Sequence, residues 1–106
     1  MVKLTILSAG FKHGFPRASH IFDVTSCPNP ARLGHVRSFR AWCCQQPAIR
    51  RRLIAIRDYI SAVGSDEPGT YAICCTGGQH RSVYLAEAVG RELRTLHSDW
   101  RITGRH

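Results

Sequence analysis

Acidic residues are scarce in this chain: seven Asp and Glu stand against fifteen Lys and Arg, for a formal net charge of +8. Thirteen of the fifteen cations are arginine. The planar guanidinium pairs two-pronged with phosphate oxygens, so the imbalance points to nucleic acid or a phosphorylated ligand. The plainer alternative is a basic surface that serves solubility. Long apolar runs are missing too. Nothing approaches the length of a membrane span, and the opening MVKLTILSAG interleaves polar residues where a signal peptide needs an unbroken apolar stretch. A cytoplasmic protein with no membrane partner is therefore expected.

Cysteine is present in the wrong pattern for a disulfide framework. The five thiols are an odd number, and four of them form the adjacent pairs Cys43-Cys44 and Cys74-Cys75, whose neighbours cannot bridge without strain. His20, His35, His97 and His106 show no paired metal-ligand spacing, and His35 with Cys43-Cys44 is not a zinc arrangement, so no metal and no cofactor are expected. Repeats, low-complexity tracts and linkers are likewise missing. The 106 residues suit one domain spanning 1–106. Area scaling gives roughly 6,000 Å² folded against roughly 17,000 Å² unfolded, which is enough burial for a core without disulfide staples.

The hydrophobic pattern orders the elements. Leu4 to Phe11 and His20 to Cys27 are short, β-prone runs that read as strands, separated by KHGFPRAS, a loop or a single turn. Between Ala31 and Pro47, Val36, Phe39, Trp42 and Cys43 have helical spacing, bounded by Gly34 and Pro47. Ile49, Leu53, Ile56, Ile60 and Val63 share one face of a helix over Ala48 to Val63, with Gly64 as its C-cap. Thr70 to Cys75 reads as a buried central strand, Val83 to Leu96 as a second helix, and Trp100 to Thr103 as a final strand. The order β, β, α, α, β, α, β predicts an α/β domain: a small, mostly parallel sheet flanked by helices, with a phosphate-binding loop between a central strand and a helix.

That loop is Cys75-Thr76-Gly77-Gly78-Gln79-His80-Arg81-Ser82. Open α/β sheets place ligands where a strand runs into a helix. Two glycines permit a sharp turn and close approach, and the amides that open the helix favour an anion. Arg81 adds a bidentate charge, Thr76 and Ser82 add hydroxyls, and His80 adds a donor that switches near neutral pH. Cys75, Thr76, Gly77, Gly78, Gln79, His80, Arg81 and Ser82 are thus the candidate ligand set. The bland alternative is a tight turn with Ser82 capping the helix and Arg81 in solvent. The same residues also fit Cys-x5-Arg-Ser, in which a cysteine thiolate attacks a phosphate held by amides and arginine. In that cysteine-dependent phosphatase reading Cys75 is the nucleophile, Arg81 the anion clamp and Asp23 the acid for the leaving oxygen. The balance of these readings leans towards binding rather than catalysis.

Three stretches in matching order, SAGFKHGFP, IFDVTSCPNP and CCTGGQHRSVYLAE, resemble the C-terminal domain family of the RNase adapter RapZ and cover about a third of the chain. The resemblance implies an α/β unit similar to part of a phosphofructokinase, which binds a small regulatory RNA and senses glucosamine-6-phosphate. It places Asp23, Cys75, Thr76, Gly77, Gly78, His80 and Arg81 around a sugar-phosphate pocket and sets Lys12 and His13 against RNA. Family members form oligomers, so a homo-oligomer burying Trp42 or Trp100 between copies is a further expectation. The family's arginine two places after the strand aspartate is Thr25 here, and its histidine after the PNP is Ala31. A Gly-rich Walker loop, the mark of the family's nucleotide-binding domain, does not occur. Arg37, Arg40, Arg50, Arg51 and Arg52 offer an RNA surface of this chain's own, with Trp42 as a stacking platform or, alternatively, a core residue.

Overall fold

The computed structural model describes residues 1–29 and 39–106. Four strands, β1 (Lys3–Gly10), β2 (His20–Asp23), β3 (Gly69–Cys75) and β4 (Arg101–Arg105), form one sheet in the order β2-β3-β1-β4. Every pairing is parallel. The helices are α1 (Phe39–Cys44), α2 (Pro47–Val63) and α3 (Arg81–Leu96), and a single 3-10 turn, Phe11–His13, follows β1. Among the described residues the predicted element order holds. Of the segment read as a helix over 31–47, only the part from Phe39 lies within the described residues, and Gly34, His35, Val36 and Arg37 lie outside them.

Alternation along β1 puts Leu4, Ile6 and Ser8 on one side of the sheet, in register with Gly69, Tyr71 and Ile73 of β3. This side forms one cluster with Leu85, Ala86, Val89 and Leu93 of α3 and with Ile49, Leu53, Ile56 and Ile60 of α2. The helical stripes are the ones the sequence spacing marks. Each fully buried Leu or Ile stabilises the fold by about 1.5–3 kcal/mol relative to exposure. α2 begins with Pro47 in its first turn, where a missing N–H costs nothing. The other side of the sheet is less covered: Thr5, Leu7, Ala9 and Thr70 are half-buried, and Ile21 is 43 % exposed. Total accessible surface is 6157 Å², close to the area that chain length alone implies.

Two local readings need correction. The second strand stops at Asp23 rather than Cys27, because the Asp23 carboxylate accepts the Thr25 amide at 2.9 Å and turns the chain. Gly64 closes α2 through its amide to the Ile60 carbonyl at 2.7 Å, yet its φ of −59° is right-handed helical. Glycine sits there for space: a Cβ would lie 2.9 Å from the Trp100 ring. Trp100 in turn stacks on His97 with ring centroids 3.7 Å apart, so its ring is taken up within the chain.

Because all strands are parallel, their C-terminal ends share one edge, and Gly10 and Asp23 lie level with Cys75 and Cys74. In the strand order the chain leaving β1 runs to β2 at one edge of the sheet and the chain leaving β3 runs to β4 at the other. The loops that follow β1 and β3 must therefore meet above the C-terminal ends of the strands.

Candidate functional site: the loop between β3 and α3

The two loops meet backbone to backbone. A Cβ on Gly10 would lie 2.4 Å from the Gly77 carbonyl carbon, and one on Gly78 would lie 2.6 Å from the Gly10 nitrogen. Gly78 also has φ +71°, the left-handed region that a side chain disfavours. Glycine is thus required at Gly78 by both contact and conformation and at Gly10 by contact, whereas a Cβ on Gly77 would meet only the Lys12 side chain at ordinary van der Waals distance. The Lys12 amide ties the 3-10 turn to the Thr76 carbonyl at 3.1 Å. The Lys12 side chain reaches back over Gly77, with Nζ 4.0 Å from where a Gly77 Cβ would stand.

The loop curls around the sulfur of Cys75. The Gly78 amide donates to Sγ at 3.2 Å, and the Ser82 hydroxyl lies 3.2 Å from Sγ on the other side. Burial pushes this thiol up, but hydrogen bonding with the Ser82 hydroxyl and amide and the Gly78 amide, together with the Arg81 charge, outweighs burial and leaves it below its ordinary 9.0. Its neighbour Cys74, on the opposite side of β3, is shifted upward by burial and by Cys75 and Asp23. The two adjacent cysteines are therefore shifted in opposite directions, Cys74 upward and Cys75 downward.

Arg81 does not extend into solvent. It is 5 % exposed, and its Nη1 donates to the main-chain carbonyls of Thr25 at 2.7 Å and Cys27 at 3.0 Å. Ser82 is fully buried with its hydroxyl on Cys75 instead of capping α3. The alternative of a plain turn with a solvated arginine fails on both counts.

Lys12, Asn29, Cys75, Thr76, Gly77, Gln79, His80 and Arg81 line a cleft of about 200 Å³. A second cleft of about 500 Å³ shares Asn29, Thr76 and Arg81 with it and is bounded by Trp42 and the turn from Thr25 to Pro28. His80 is held edge-on by the Phe39 ring at 5.1 Å. Gly78 faces a separate cleft with His13 behind the loop.

Of the candidate ligand residues, the cleft thus gathers Cys75, Thr76, Gly77, Gln79, His80 and Arg81. Ser82 supports it from below. Asp23 stands apart: its carboxylate is engaged by Thr25, and that bond, from the Thr25 side chain and backbone, holds it below the usual carboxylate range despite slight burial. Its carboxylate is taken up by the turn and is not among the groups lining the cleft with Cys75. Among the RNA candidates, Lys12 sits over Gly77 of the loop after β3 and Arg50 pairs with Glu92 at 2.9 Å. Arg51 lines a cleft with Arg52, Ser26 and Cys27. Sequence reasoning missed Asn29 as a wall of both clefts, although the PNP tripeptide after β2 was the available signal. It also missed the Thr25 and Cys27 carbonyls, which no side-chain pattern encodes. Among the described residues, no group of three or more His, Cys, Asp or Glu is placed to hold a metal ion, and no helix is long and apolar enough to cross a membrane.

A family model described as the RapZ C-terminal domain matches residues 2–106. The chain belongs to that family. The match runs through the 31–70 region, which the three motifs left uncovered. A nucleotide-binding protein of Alteromonas mediterranea is 34% identical over 116 aligned positions, covering 96% of this chain and 41% of the relative. One from Dichelobacter nodosus is 37% identical, with 96% and 42% covered, and one from Mycobacterium avium 35%, with 98% and 40%. This RapZ C-terminal domain therefore spans about two-fifths of the length of these curated relatives.

Proposed function

We propose that this domain is a binding and regulatory module that holds a phosphorylated small molecule, a phosphosugar or a nucleotide-like anion, in the Cys75 to Ser82 loop. The observation that carries the reading is the cleft itself, where a buried guanidinium and a lysine ammonium flank the backbone of Thr76 and Gly77. Charged donors in a partly desolvated site bind phosphate oxygens far more strongly than exposed ones. The smaller cleft suits a phosphoryl group, and the larger one beside Trp42 accommodates the rest of the ligand. The names of the relatives, which are nucleotide-binding proteins, support a phosphorylated ligand.

RNA is the second partner of this reading, and Lys12, His13, Arg50 and Arg51 are its contacts. The support is the +8 charge and the arginine excess, of which Arg51 and Arg52 have no carboxylate partner among the described ion pairs. The module works in the cytoplasm, as a homo-oligomer.

Titration calorimetry with inorganic phosphate, glucosamine-6-phosphate and a nucleoside monophosphate tests the first part. Binding by wild type and its loss in Arg81→Lys, which keeps charge but not the fork, is the expected result. Equal binding by both proteins refutes it. For RNA, log affinity should fall linearly with log salt, and Lys12→Ala should lower the slope by about one phosphate contact. A slope unchanged in that variant removes Lys12 from the interface.

A further inference from the structure

A module that only binds an anion gains nothing from a sulfur at the floor of its cup, yet Cys75 lines the cleft with Lys12, His80 and Arg81. A thiolate repels the phosphate that Lys12 and Arg81 attract, and alanine or serine would serve binding better. The sulfur is nonetheless ringed by hydrogen-bond partners: the Gly78 amide and Ser82 hydroxyl, each at 3.2 Å. Beside it, Arg81 is nine-tenths buried and lines the cleft, and among the described residues its own bonds use Nη1 alone. Nε and Nη2 are the donors it has for a ligand. Nucleophile, clamp, a second cation and an imidazole thus converge on one cleft of about 200 Å³.

From this convergence we infer that the loop is a phosphoryl-transfer site, in which Cys75 takes the phosphoryl group of a bound phosphomonoester and water then removes it. The inference rests on the anion-binding reading above and deepens it. In the first step the Cys75 thiolate attacks phosphorus: an S–P bond forms and the ester P–O bond breaks. The leaving oxygen keeps the electron pair and takes a proton from the His80 imidazolium, while Arg81 and the loop amides hold the three phosphoryl oxygens. In the second step water attacks phosphorus, its proton passes to neutral His80, the S–P bond breaks and inorganic phosphate leaves with the thiolate restored. The sum is one ester plus one water giving one alcohol plus one phosphate, with no oxidation or reduction. His80 takes the acid's part because it lines the cleft with Cys75, whereas Asp23 does not line it and is spent on the turn at Thr25.

The test uses the full chain and p-nitrophenyl phosphate in the presence of a chelator, with inorganic phosphate titrated calorimetrically in parallel. Wild type should turn the ester over. Cys75→Ser should lose turnover on the order of 100-fold or more. Acid quenching during turnover should leave the mass of one phosphoryl group on the peptide carrying Cys75. His80→Gln should slow an alkyl phosphate, which needs a protonated leaving group, far more than p-nitrophenyl phosphate, which does not. If phosphate binds but wild type turns over no faster than Cys75→Ser, the transfer inference is wrong and the binding module stands. If wild type does not bind phosphate, the binding reading falls with it.

Discussion

Replacing Arg81 should cost stability as well as ligand. Its Nη1 holds two carbonyls of the turn after β2, Thr25 at 2.7 Å and Cys27 at 3.0 Å, from a side chain only 5 % exposed. Hydrogen bonds from a charged donor contribute about 1.5–3 kcal/mol each, and water reaching the exposed Thr25 region offsets part of the loss, so Arg81→Met should destabilise by about 3 kcal/mol. Methionine keeps the volume of the stem and removes the donors, which separates hydrogen bonding from packing. With a urea dependence of about 1.5 kcal/mol per molar, typical of a small domain, the unfolding midpoint should fall by about 2 M. Arg81→Lys, with one ammonium for two carbonyls, should lose about half as much. Chemical denaturation followed by tryptophan fluorescence reads this directly. An Arg81→Met midpoint within about 0.3 M of wild type would refute the reasoning, since the clasp on the β2 turn would then contribute nothing.

Further predictions follow from the same contacts. Gly78→Ala places a Cβ at φ +71° and 2.6 Å from the Gly10 backbone; strain of about 1–3 kcal/mol should lower the melting temperature by roughly 5–15 °C, and an unchanged melt contradicts the loop contact. Cys75 should be alkylated by iodoacetamide at lower pH than an unperturbed thiol, because its thiolate is favoured in the native state; a half-maximal rate at or above the ordinary thiol value excludes this. Burial, with Cys44 and Cys27 nearby, pushes Cys43 up to about 11 from 9.0, so between these values the unfolded chain has released a proton that the native chain keeps. Stability should therefore fall as pH rises through that window, and a Cys43→Ala variant should show a shallower alkaline slope in thermal melts. Ile21, 43 % exposed on the less covered side of the sheet, should lie between copies in an oligomer; light scattering of Ile21→Asp should then report a smaller particle than wild type, and equal masses would place any interface elsewhere.

Much of this was legible in the chain because the signals were local and redundant. The α2 and α3 stripes repeat several times over, and Gly-Gly between an apolar run and a helical pattern marks the loop regardless of tertiary detail. The Arg81 clasp was not legible, since its partners are main-chain carbonyls on a turn far away in sequence, and carbonyls have no residue signature. The early end of β2 followed from one side chain, Asp23, bonding its own backbone in competition with the ladder. At Gly64 a packing role imitated a capping signal, because a glycine after a helix looks the same whether it supplies a left-handed turn or clears space for an indole.

The glycine-on-glycine meeting of the two loops has a mechanical consequence. With no side chain between Gly10 and Gly77-Gly78 to act as a cushion, and with the Lys12 amide fastened to Thr76, the two segments behave as one plate. A shift of the 76–78 backbone is therefore passed on to the basic turn that carries Lys12 and His13 rather than absorbed between the two loops.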